Sequence, residues 1–173
     1  MRFIRFPRLI IAALILSPFV AQGTSSTSAP QLPDARLISQ IEVTLTPDRI
    51  STPRPMLEND MSKWGCTFTS LADSNDIQSA LSILKSNLTT SSVKSNSFQL
   101  RNKIVIRLKD GRETKILLSD AYNPKDAVLG TFKDESGKTT IAVISKGKLL
   151  RDLEIWTRDI EDRRSDANTC PQH

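Results

Sequence analysis

The amino-acid sequence predicts an α+β fold: one domain, with an antiparallel sheet of about four to six strands and two main helices packed on one face. Three observations carry that expectation. Apolar residues alternate with polar ones in several short runs, most clearly within residues 100–120. Two other stretches, residues 77–88 and 149–160, repeat apolar residues at helical spacing. Finally, the strand-like runs between residues 104 and 144 follow one another without a helix between them, which is the order of a meander rather than of βαβ units.

The central element is a hairpin. Ile104, Ile106 and Leu108 alternate with Val105, Arg107 and Lys109, and after Asp110-Gly111 the alternation resumes with Thr114, Ile116 and Leu118. A two-residue loop would pair Ile106 with Lys115 and set an apolar face against a charged one. A three-residue loop, Lys109-Asp110-Gly111, pairs Ile106 with Thr114 and Ile104 with Ile116, and puts Gly111 at a left-handed position. A one-residue slip turns every side chain over, so burial selects the longer loop. The opposite face carries Arg107, Lys109, Glu113 and Lys115. It reads either as a basic binding stripe or as an ordinary solvated sheet face.

The remaining elements follow in order. Ile41, Val43 and Leu45 alternate with Glu42 and Thr44 in a first strand ended by Pro47. Residues 47–55 hold three prolines and read as a surface loop. Residues 57–64 form one or two helical turns broken by Gly65, and residues 66–71 a short strand. Asp73 starts a helix, with Asp76 as a capping-box partner, and Ile77, Ala80, Leu81, Leu84 and Leu88 form its core stripe. Residues 89–97 and 121–126 are loops, the second built around Tyr122 and Pro124. Residues 128–132 and 139–144 are strands joined by a turn at Gly137. Ser145 is placed to cap a last helix whose face is Leu149, Leu153, Trp156 and Ile160, with Trp156 anchoring it on the sheet. Asn87-Leu88-Thr89 matches a glycosylation acceptor, which matters only in a eukaryotic host.

The ends of the chain have their own logic. Arg2, Arg5 and Arg8 precede an apolar run from residue 9 to 21, and Ala21-Gln22-Gly23 is a small-x-small cleavage site. Residues 1–23 therefore read as a secretory signal peptide, too short for a stable membrane span. Residues 24–35 read as a flexible linker, 36–163 as the α+β domain, and 164–173 as a tail tied back by a disulfide. Removing three arginines takes the net charge from +5 to +2, too mild a balance to indicate nucleic-acid binding. Cys66 and Cys170 are the only cysteines, and in an exported chain, periplasmic or extracellular, they are expected to pair.

The residue inventory excludes several chemistries. The single histidine is His173, at the very end, so histidine-based nucleophilic catalysis has no base. Two distant cysteines and a terminal histidine make no zinc set, the glycines form no phosphate loop, and no cofactor or metal is expected. Carboxylate chemistry needs only two acids, and Asp110, Glu113, Asp120 and Asp126 lie near hairpin ends, though acids at turns commonly serve turn geometry. The leading reading is a small exported, non-catalytic protein that binds another protein: an inhibitor, an immunity-type protein or an envelope accessory protein. Its candidate contact residues are Arg107, Lys109, Lys115 and Tyr122. The alternatives are an extracytoplasmic carboxylate-dependent hydrolase and a carrier for a small ligand.

Overall fold

A computed structural model describes residues 29–47, 56–70, 75–91, 98–121, 125–137, 140–163 and 168–170. Residues 1–23, read from the sequence as a signal peptide, residues 48–55 of the proline-rich loop, Asp73, Tyr122 and His173 lie outside them.

The fold is α+β, with every strand pairing antiparallel. The strands are β1 (Ile38–Leu45), β2 (Cys66–Thr69), β3 (Thr89–Thr90), β4 (Asn102–Leu108), β5 (Glu113–Leu118), β6 (Ala127–Lys133), β7 (Thr140–Lys146) and β8 (Asn168–Thr169). They form one sheet in the order β3-β7-β6-β5-β4-β1-β2-β8. Eight strands exceed the expected four to six because a two-residue strand closes each edge. Neither β3 nor β8 is long enough to show an alternation, and each is held by its neighbour rather than by its own pattern. The helices are α1 (Met61–Trp64), α2 (Asn75–Asn87) and α3 (Lys148–Arg163).

The hairpin has the register that burial selects. Ile104 pairs with Ile116 and Ile106 with Thr114. The Gly111 N–H donates to the Leu108 carbonyl, the Leu108 N–H donates to the Arg112 carbonyl, and Gly111 has φ +87°. β1 starts earlier than the alternation at Ile41 suggests. Ile38 pairs with Leu108 and Gln40 with Arg107, so Ser39 is an extra residue that bulges the strand. The bulge lets Ile38 and Ile41, three apart, both face the core.

α2 and α3 pack on the same face. The stripes Ile77–Ala80–Leu81–Leu84–Leu88 and Leu149–Leu153–Trp156–Ile160 join Ile41, Val43, Ile104, Ile106, Ile116 and Val128 in one core. Topology accounts for their lengths. α2 carries the chain from β2, near one sheet edge, to β3 at the other, and α3 carries it back from β7 to β8. Each crossing covers six strand spacings, or somewhat under about 29 Å, and helices of 13 and 16 residues supply about 20 and 24 Å of it. The Trp156 indole N–H donates to the Asp76 carbonyl at 3.0 Å, so this side chain ties α3 to the start of α2 as well as to the sheet. Arg163 adds an ion pair to the buried Asp76 carboxylate at 2.6 Å. Ser145 does not cap α3. It is a buried residue of β7, and Gly147 intervenes, its carbonyl accepting from the N–H groups of Leu150 and Arg151.

Cys66 and Cys170 form a disulfide that closes β8 onto β2. The bridge spans 104 residues of sequence, so losing it is expected to cost about 4–5 kcal/mol by the loop-entropy relation. Urea unfolding with and without a reductant measures that loss, and unchanged midpoints would contradict it. Two glycines separate strain from crowding. A Cβ at Gly111 meets nothing within 4 Å, so Gly111→Ala is expected to lose only about 1 kcal/mol, the cost of the left-handed backbone. A Cβ at Gly130 falls on the Leu117 carbonyl oxygen and 2.7 Å from Leu118 Cδ2, so Gly130→Ala is expected to lose about 3 kcal/mol or more. Equal losses in the two variants would sink that distinction.

Candidate interaction surface

Period two puts Glu42, Thr44, Lys103, Val105, Arg107, Glu113, Lys115, Leu117, Thr131 and Lys133 on the sheet face away from α2 and α3. This second face is partly roofed. Residues 58–60 make a 3-10 turn that runs into α1, and Met56 and Met61 bury themselves against Leu100, Phe98 and Leu117. The segment is amphipathic over a very short length, so its place depends on those two methionines and on one ion pair.

That ion pair ends a chain of polar contacts across the sheet. The Gln40 amide donates to Glu42 Oε1 at 2.6 Å. Glu42 is bridged by Arg107 Nη2 at 3.2 Å, and Arg107 Nε lies 3.0 Å from Glu113 Oε1. Glu113 Oε2 is 3.9 Å from Lys115 Nζ, and Lys115 Nζ donates to Glu58 Oε1 at 2.9 Å. Burial alone would raise the Glu58 carboxyl. The Lys115 hydrogen bond and the charges of Lys115, Lys103 and Lys133 outweigh it and hold Glu58 below the ordinary carboxylate value. The same hydrogen bond raises Lys115.

The stripe read from the sequence is therefore mostly committed to internal pairs. Arg107 is shared by Glu42 and Glu113, and Lys115 is taken by Glu58. Lys109 is exposed in the hairpin loop. Two cations absent from the sequence reading, Lys103 and Lys133, make no ion pair among the described residues, yet both act on Glu58. Two large apolar side chains stand out at the ends of the roofing segment: Leu57 is 66% exposed and Trp64 39%. The cue for Lys103 and Lys133 was present in the alternation. The cue for Leu57 was not, because nothing local says which side of so short a segment faces water.

The acids near the hairpin are likewise engaged. Asp110 accepts from the Arg112 side chain and backbone N–H, and both bonds hold its carboxyl below the ordinary value. Such a group is a stable anion rather than a proton donor at neutral pH. The Asn87 amide donates to the Ile83 carbonyl and to Asp152, so it fastens α2 to α3.

The Glu58–Lys115 pair gives a pH test. A lowered carboxyl contributes stability that is full above its unfolded value and is lost as pH falls through its folded one. A raised lysine contributes stability that is full below its unfolded value and is lost as pH rises through its folded one. Glu58→Gln is therefore expected to cost under about 1 kcal/mol at neutral pH and to shallow the loss of stability in acid. Urea midpoints measured from neutral pH down through the carboxylate range check this; parallel profiles for the two proteins would contradict it. Comparison with protein-family models, with curated proteins and with solved structures finds no match to this chain, so the surface is read from its own chemistry.

Proposed function

We propose that the protein is a small exported, non-catalytic binding protein whose second sheet face docks another protein. Leu57 carries the reading: a leucine two-thirds exposed, next to Glu58, whose carboxylate feels Lys103 and Lys133, two cations with no ion pair among the described residues. An apolar anchor beside these cations suits a partner surface with a shallow apolar site rimmed by carboxylates. Trp64 is the second anchor. Arg107 and Lys115 act less as contacts than as the frame that holds this surface in place, while Lys109 stands exposed in the β4–β5 loop and Tyr122 is kept as a candidate contact from the sequence alone. Export is supported by the arginine-led apolar start of the chain and by the disulfide. Among the described residues no helix is long and apolar enough to cross a membrane, and no three metal-ligating side chains cluster.

The disulfide-bonded chain used as bait in the source's envelope fraction or culture fluid is expected to retain one protein in stoichiometric amount. Leu57→Ser together with Lys103→Glu and Lys133→Glu is expected to lose it. Ile155→Ser, which removes an exposed side chain from α3, is expected to keep it. Retention by the triple variant, or loss by the α3 variant, places the interface elsewhere.

A further inference from the structure

The outer side of α3 is a surface of its own. Leu149, Leu153, Trp156 and Ile160 hold the helix on the sheet. Opposite them runs a stripe of Lys148, Arg151, Ile155, Arg158 and Asp162, spaced by three and four residues and exposed throughout. Ile155 stands at its centre and is 50% exposed. Among the described residues it is the one large apolar side chain that α2 or α3 turns to water.

The charges around Ile155 are not spent within the chain. Arg151, Arg158, Asp159 and Asp162 make no ion pair among the described residues, and Lys148 reaches Asp152 only at 3.9 Å. Their order also works against the helix. Lys148 and Arg151 stand in the first turn, which holds no acid, and Asp162 stands in the last. A helix dipole favours acids first and bases last. The last-turn base, Arg163, is taken by Asp76. Arg158 and Asp162 are four apart, but with the base first, which is the weaker order for a pair on one helix.

We infer that α3 is the contact for a second copy of this chain: two antiparallel α3 helices with Ile155 on the two-fold axis. In such a pair a residue meets the one that stands equally far on the other side of Ile155 in the second copy. Asp152 and Arg158 are each three residues from Ile155, Arg151 and Asp159 four, and Lys148 and Asp162 seven. All three positions therefore set opposite charges together, and each occurs twice. A parallel pair would set Lys148, Arg151 and Asp162 against themselves. Moving the axis by half a heptad would put Ile155 against Lys148 or Asp162. A helix of 16 residues is about 24 Å long and about 10 Å wide, so one face covers about 240 Å². That is well under the roughly 800 Å² per partner of a standard interface, and the dimer is weak and reversible. The contact lies across the sheet from Leu57, so it is independent of docking at the second face.

Sedimentation velocity of the disulfide-bonded chain, at loadings from about 10 μM to about 1 mM, tests the inference. The sedimentation coefficient is expected to rise from monomer toward dimer with loading, and the rise to weaken in high salt. Lys148→Glu with Arg151→Glu makes both ends of the stripe acidic, and Asp159→Lys with Asp162→Lys makes both ends basic. Each charge variant alone is expected to stay monomeric. Their equimolar mixture is expected to recover the dimer, because every acidic end then meets a basic one. Ile155→Ser is expected to weaken association at least about tenfold. A monomer at every loading, a dimer that persists in either charge variant, or a mixture that stays monomeric while both variants keep the parent's circular dichroism would each overturn the inference. If a charge variant does not fold, undiminished association of Ile155→Ser overturns it.

Discussion

The pairing of Ile104 with Ile116 is the constraint on which the rest of the molecule depends. With the three-residue loop, every apolar residue of β4 and β5 except Val105 and Leu117 faces the helices. Slipping β5 by one against β4 would drive Lys115 under α2 and α3 and turn Ile116 and Leu118 away from the core. The neighbouring strands are adjusted to match this pair. β1 needs its bulge at Ser39 to bring Ile38 and Ile41 into the same layer, and β6 needs Gly130 where a side chain would strike the β5 backbone. The helices then have one face to cover, and the disulfide returns the chain to the edge from which α2 departed.

Most of the local periodicities match the structure, and so does the long-range disulfide, whereas the edge strands, the Ser145 cap and the charge pairs were not legible. Alternation and helical spacing located the six longer strands and both main helices, because burial imposes those periods directly on the residues concerned. The hairpin register was legible because only one loop length sorts its side chains. The two-residue edge strands were not, since they exist only through β7 and β2. Ser145 looked like a cap, yet the β7 alternation runs through it, with Val143 and Ser145 on one face, and the strand takes precedence over the cap. The cations suffered most. Arg107 meets Glu42 from 65 residues away and Lys115 meets Glu58 from 57, so whether either was free to bind could not be judged from neighbours in the chain.

The charged chain on the second face contributes less to stability than to placement. Half-exposed ion pairs are worth about 0–1 kcal/mol each. Met56 and Met61 supply the burial that holds the roofing segment, but a short segment with two flexible anchors could dock in more than one way. Glu58 narrows that freedom, since its carboxylate must meet the Lys115 ammonium. Leu57 is the neighbour of Glu58, so its exposure follows from this pairing: the contact that orients the acid turns the leucine outward.

The same alternation that separates core from surface also separates the charges. Arg112 and Thr114 fall on the helix side with Asp34, Asp134 and Glu135, whereas Lys115, Lys103 and Lys133 fall on the other. A single sheet thus divides the paired charges of its turn end from a face on which Lys103 and Lys133 make no ion pair among the described residues. The mild overall charge excludes nothing about either surface on its own. The charges on each side act through local fields, and at physiological ionic strength these fields fade over about 8 Å. That range is comparable with the thickness of the sheet and its side chains, so the two surfaces can act independently on one small domain.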